Sequence, residues 1–129
     1  MLAVDTNVIV RYLTRDHARQ AVRAKRLIDG NDVFVAATVL LETEWVLRGV
    51  YRLTPARIVE ALADFAALPR VTIEDPAEAA KALEWAAGGM DFADALHLAR
   101  SEHCEAFVSF DRRLVAAART IGNPAVREP

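Results

Sequence analysis

Four carboxylates stand where chemistry is possible. Asp5 follows the apolar run Leu2-Ala3-Val4, and Asp111 follows Val108-Ser109-Phe110, so two strand-like segments each deliver an acid at their C-terminal end. Asp94 lies three residues after Asp91, which puts both on one helix face. Glu42 and Glu44 belong to a helix expected from about Thr38 to Arg48. At about 100° per residue, Glu42 falls between Trp45 and Val46 with Val39 and Leu41 nearby, on or beside a buried stripe. Glu44 falls beside Arg48, in what is expected to be an ordinary solvated ion pair. An unpaired buried charge is costly, so Glu42 asks for an explanation and Glu44 does not.

Gathered in one crevice, Asp5, Glu42, Asp94 and Asp111 would repel, and some would take up protons. A hard divalent cation removes that repulsion. Mg2+ takes oxygen ligands, keeps several waters, and needs only one or two direct carboxylates. Sites of this kind commonly handle phosphates. Each acid also has a structural reading. Asp5 and Asp111 serve equally well as helix N-caps, and Asp91 fits a cap better than a ligand. Asp94 fits a cap less well, because Phe92, Ala93, Ala95, Leu96 and Leu98 around it describe a helix covered on most sides.

The elements that must position these acids follow from short apolar runs alternating with helical patterns. Leu2–Val4, Val33–Val35, Val71–Ile73, Ala106–Phe110 and Ala125–Arg127 read as strands. Asp16 is expected to cap a helix ending near Gly30, with Gly30 in a left-handed turn. Thr54-Pro55 opens another helix, Asp75-Pro76-Ala77-Glu78 a third with a capping-box glutamate, and a last runs from Asp91 to about His103. Strands separated by helices predict an α/β fold, a mostly parallel central sheet of four or five strands with helices on both faces. Ligands of open α/β sheets bind at the carboxyl ends of the strands, where these acids lie.

The chain has 129 residues, the size of one domain, here residues 1–129, and is 53% hydrophobic and 26% charged. That balance excludes a disordered chain or a disulfide scaffold. The longest stretch without a charge or His, Val33–Leu41, is far short of the about 20 apolar residues of a membrane span. With Asp5 early and no basic lead, a secretory leader is not expected. The single cysteine, Cys104, excludes a cysteine-rich zinc site and fits a reducing, cytoplasmic setting. Net charge is −2, but residues 1–57 carry nine Lys/Arg against six Asp/Glu, and residues 58–129 seven against twelve.

The segments "VDTNVIVRYLTRD", "LLETEWVLRGVY", "GMDFADALHLAR" and "FVSFDRRL" together resemble the PIN-domain family, closest to the VapC-type toxins of toxin–antitoxin pairs. The resemblance covers essentially the whole chain. It implies a metal-dependent endoribonuclease using Mg2+ or Mn2+, a homodimer, and inhibition by a cognate antitoxin protein, with RNA as substrate and no membrane partner. It implies Asp5, Glu42, Asp94 and Asp111 as the catalytic acids. Asp5 and Asp94 are then expected as direct metal ligands, with Glu42 and Asp111 acting through water. Thr6, Asn7 and Ser109 would orient acids or waters, and Asp91 is an accessory residue.

Arg11, Arg15, Arg112 and Arg113 lie near the acids and are candidate RNA phosphate contacts, or else solvated helix faces. His97 is read as structural, His17 and His103 as surface residues, and Cys104 as small and buried. Trp45 and Phe65 are expected in the core rather than stacked on bases. The helices around Thr38–Tyr51 and Thr54–Leu68 are, by that resemblance, an expected antitoxin docking region, with core packing or self-association as the alternative. Asn7, two residues after Asp5, argues against a haloacid-dehalogenase-like phosphotransferase, and the lack of any Lys beyond Lys81 argues against a response-regulator receiver. A non-catalytic PIN-like binding or interaction module, with the acids as caps, is the other reading.

Overall fold

The computed structural model describes residues 1–129 as seven helices and five strands, all of whose pairings are parallel. The α/β expectation holds. The ladder, however, falls into a three-stranded and a two-stranded sheet rather than one central sheet. The chain divides into two compact units, Met1–Pro76 and Ala77–Pro129.

In the first unit, β1 (Leu2–Ala3), β2 (Val33–Val35) and β3 (Val71–Ile73) pair in that order, with Leu2 opposite Val33 and Val33 opposite Val71. β1 is shorter than expected: Val4 still donates its N–H to the Phe34 carbonyl, but the chain then turns into a helix. Val33 and Val35 are fully buried, as a central strand requires. Four helices connect the strands: α1 (Thr6–Thr14), α2 (Ala18–Gly30), α3 (Ala37–Gly49) and α4 (Pro55–Ala66). α1 packs on α2 and α3, and α3 on α4. Ile9, Val10, Ala24, Ile28, Leu40, Leu47, Leu62 and Phe65 fill the core, with Tyr12 edge-on to Phe65 at 5.6 Å.

Helix ends explain where these elements start and stop, and both ends of α2 differ from expectation. α1 ends on Arg15 in the left-handed region (φ 55°). His17, not Asp16, caps α2: its Nδ1 accepts from the Gln20 N–H at 3.2 Å. Gly30 is the last residue of α2 and is not left-handed. Asn31 closes that end, its side-chain amide donating to the Leu27 carbonyl at 2.8 Å. α3 has no cap of its own. The first N–H, from Ala37, instead donates to Glu74 Oε1 at 2.8 Å. Parallel pairing makes this possible, because the N–H of Glu74 extends the β2–β3 ladder to the Val35 carbonyl. Thr54 caps α4 with Pro55 at its first position, as expected.

The second unit contains α5 (Pro76–Ala87), α6 (Phe92–Ala99), β4 (Ala106–Val108), α7 (Arg112–Ala118) and β5 (Ala125–Arg127). β4 and β5 pair in parallel, Ala106 opposite Ala125, and α7 packs on β5. α6 stops four residues before the predicted His103. Glu78 pairs with Arg100 at 3.5 Å, and Lys81 with Glu102. Cys104 is exposed rather than buried. No helix is long and apolar enough to cross a membrane.

Candidate active site

In the first unit the site is built around the exits of β1 and β2. Parallel pairing puts both exits at one edge, so the start of α1 and the start of α3 are neighbours. Asp5 is exposed and caps α1, its Oδ1 accepting from the Thr6 N–H at 2.8 Å. Thr6 is buried, and its hydroxyl donates to Glu42 Oε1 across 36 residues of sequence. One residue therefore ties the first acid to the second: its N–H holds Asp5 and its hydroxyl holds Glu42. Asn7 is exposed on the first turn of α1.

α3 buries a different face from the expected one. Its buried residues are Ala37, Leu40, Thr43, Glu44 and Leu47. Glu42 is exposed and Glu44 is the buried acid, 5% accessible. The predicted stripe failed because it was anchored on Trp45, which is 58% exposed. The expected pair with Arg48 does form, at 2.9 Å, but from a buried carboxylate whose Oε2 makes no hydrogen bond. Glu42 is thus held at the surface by a hydroxyl rather than buried without a partner.

In the second unit the acids sit at two helix starts. Asp91 caps α6, accepting from the Asp94 N–H at 3.1 Å. Asp111 caps α7, its Oδ1 accepting from Arg113 and Leu114 N–H groups at 2.9 and 3.2 Å. Ser109 Oγ accepts from the Asp111 N–H at 3.0 Å and fixes the approach to that cap. Burial pushes the Asp94 carboxyl above its ordinary value, the charges of Asp91 and Asp111 push it the same way, and His97 pulls against them. His97 itself is exposed in the last turn of α6.

The donor set is suited to a hard cation. It offers carboxylates and hydroxyls, no thiolate, and a surplus of negative charge around Asp94 that a cation would relieve. Within neither unit do three His, Cys, Asp or Glu side chains form a cage. A closed all-protein site of the zinc or calcium kind does not fit either unit. An ion such as Mg2+, bound by one or two carboxylates and otherwise by water, does.

The basic residues divide. Arg11 is committed: Nε donates to Gln20 Oε1 at 2.6 Å and Nη1 to Tyr51 Oη at 3.0 Å, with Asp16 at 3.3 Å. Arg112 pairs with Glu128 at 3.4 Å on the open surface. Arg15 and Arg113 are exposed.

No curated protein and no solved structure matches the chain. The PIN domain matches residues 2–120, a span that holds all four acids and both units almost to their ends. The chain belongs to the PIN-domain family.

Proposed function

We propose that the protein is a metal-dependent endoribonuclease that hydrolyses RNA phosphodiester bonds with Asp5, Glu42, Asp94 and Asp111, acting as the toxin of a toxin–antitoxin pair. PIN domains are generally metal-dependent nucleases, and the match over residues 2–120 is the general support. The observation that carries the site assignment is the double role of Thr6, which anchors Asp5 through its N–H and Glu42 through its hydroxyl. A surface carboxylate held in this way serves a ligand better than it serves the core.

Asp5 and Asp94 would hold the ion, Mg2+ or Mn2+, with Glu42 and Asp111 completing the set through water. When bound, the ion lowers the pKa of a coordinated water and stabilises charge on the phosphoryl oxygens. The chain's own part is orientation. Thr6 fixes one oxygen of Glu42 and leaves the other free. The N–H groups of Arg113 and Leu114 fix Oδ1 of Asp111 and leave Oδ2 free. Asn7, Ser109 and Asp91 support these acids, Arg15 and Arg113 are available to phosphates, and Arg112 would exchange its exposed pair with Glu128 for one. Trp45 and Val50, exposed on and just after α3, suit the docking of an antitoxin. The α4 stripe of Ile58, Leu62 and Phe65 is core. A homodimer completes the proposal.

A second reading, a non-catalytic interaction module, has its own observation: Asp5, Asp91 and Asp111 all cap helices. Cleavage of end-labelled structured RNA by antitoxin-free protein with Mg2+, with Mn2+ and with EDTA, beside Asp5→Ala, separates the two. Metal-dependent cutting absent from the variant supports the nuclease. Folded protein that cuts none of several RNA pools supports the module.

A further inference from the structure

The α1–α2 side of the first unit carries a feature that the carboxylates do not use. A cavity of about 320 Å³ opens there, lined by Asn7, Val8, Arg11, Gln20, Arg23, Ala24 and Leu27. Its size is at the small end of ligand pockets, which run from about 300 Å³. Val8, Ala24 and Leu27 give it an apolar floor, and the other four residues give it a rim of amides and guanidinium groups. The rim is arranged to donate. Arg11 Nε holds Gln20 Oε1, which leaves the Gln20 NH2 free to donate. Asn7 and Arg23 are exposed, and Arg23 makes no ion pair. Asn7 lies two residues beyond Asp5 on the first turn of α1, so the cavity begins beside the acid end of that helix.

Arg23 is also the middle of a row. Arg19, Arg23 and Arg26 fall at i, i+4 and i+7 of α2, one stripe of the helix, all exposed and none in an ion pair. The stripe points away from the buried residues Ala24 and Ile28. Lys25, off the stripe, is already neutralised by Asp29. Unpaired arginines repel one another and gain nothing for the fold in this arrangement; a polyanion running along the helix would satisfy all three.

We propose that α2 is the RNA track of this protein: Arg19, Arg23 and Arg26 bind successive phosphates of a single strand, and the α1–α2 cavity receives one nucleotide, whose base meets the free amides of Asn7 and Gln20. The proposal rests on the nuclease reading and deepens it by naming a substrate-positioning surface. A planar heterocycle with acceptor atoms fits an apolar floor and a donor rim; an acidic peptide would use the arginines but leave the amide-rimmed cavity without purpose.

The test reads binding, not turnover. A labelled single-stranded RNA is titrated in EDTA at several salt concentrations with the full chain, with Arg19→Ala/Arg23→Ala/Arg26→Ala, and with Arg57→Ala as a control that removes a positive charge from α4. Losing three phosphate contacts should lower the magnitude of the log K against log [salt] slope by about 2, at about 0.7 per contact on a single strand. The triple variant should bind at least about 10-fold more weakly at low salt, and Arg57→Ala should follow the parent. Gln20→Ala should retain the slope but flatten differences among the four homopolymers. If the parent binds and cleaves RNA while the triple variant keeps its slope and affinity, the track is wrong and the nuclease reading stands. If the parent neither binds nor cleaves, both fall. Loss of antitoxin binding in the triple variant, with RNA binding intact, would assign the surface to a protein instead.

Discussion

The Thr6 hydroxyl donates to Glu42 Oε1, joining the first turn of α1 to the second turn of α3. Because Thr6 is buried, the donor is fixed, and the exposed Glu42 carboxylate is the partner that is positioned. Thr6→Val keeps the buried shape and removes only the donor. Groups that orient metal-binding acids typically matter by about 10–100-fold in metal affinity or activity, and that range is expected for Thr6→Val in RNA cleavage. Thr6→Ser should recover most of the loss. Circular dichroism melting of both variants checks that the fold is retained, since Glu42 can turn to water when the hydroxyl is gone.

Glu42 and Glu44 should separate cleanly. Glu42→Gln is expected to abolish metal-dependent cleavage and leave stability nearly unchanged, because the side chain is exposed. Glu44→Leu is expected to leave cleavage intact and stability equal or higher, since it removes a buried carboxylate with one unsatisfied oxygen while the Arg48 side chain left behind is half exposed to water. Arg48→Ala, which leaves the Glu44 carboxylate buried without this partner, should cost about 1–3 kcal/mol in urea unfolding. Loss of cleavage in Glu44→Leu with Glu42→Gln active would exchange the two roles.

These two residues also show what the sequence made legible. Strand exits bearing Asp5 and Asp111 were readable, because short apolar runs ending in an acid need only local chemistry. So was the Thr54-Pro55 helix start, and so was the cap role of Asp91. The face of α3 was not, because residue type alone places Trp45 in the interior, whereas the buried side follows Leu40, Thr43, Glu44 and Leu47. Caps made across the fold were invisible for the same reason. His17 displaced Asp16 because Asp16 is taken by Tyr51, Thr14 and Arg11, a set formed only once α1, α2 and the end of α3 have packed. The arginine row of α2 stayed out of view, because the candidate phosphate contacts were sought beside the acids and only the folded helix shows Arg19, Arg23 and Arg26 exposed on one stripe.

Glu74 caps a helix to which it does not belong. Its Oε1 accepts from Ala37 N–H at 2.8 Å, and no side chain at the N-cap position, Ala36, can substitute. A carboxylate at a helix N-terminus combines a hydrogen bond with the favourable end of the dipole. Glu74→Ala should lower stability by about 1 kcal/mol. Glu74→Gln, which keeps the acceptor and loses the charge, should recover part of it. Chemical denaturation at neutral pH measures both, and equal stability of all three proteins would remove the cap.

Asp16 makes part of the fold's stability depend on pH on the acid side. Tyr51 Oη donates to its Oδ2 at 2.7 Å and Thr14 Oγ1 to its Oδ1 at 2.9 Å, with Arg11 at 3.3 Å. The Tyr51 hydrogen bond first, then that of Thr14, hold its carboxyl below the ordinary value of 3.8. The folded state therefore binds the proton less readily than the unfolded chain does. The resulting stabilisation is fully present above pH 3.8 and is lost as pH falls from there through the lowered folded value. Tyr51→Phe removes the largest cause and should be less stable than the parent at neutral pH. The gap should narrow once the pH drops below 3.8. Paired thermal melts between neutrality and the lowest pH at which both proteins fold would show it. A gap that stays constant with pH would mean that the Tyr51 ring, not its hydroxyl on Asp16, carries the effect.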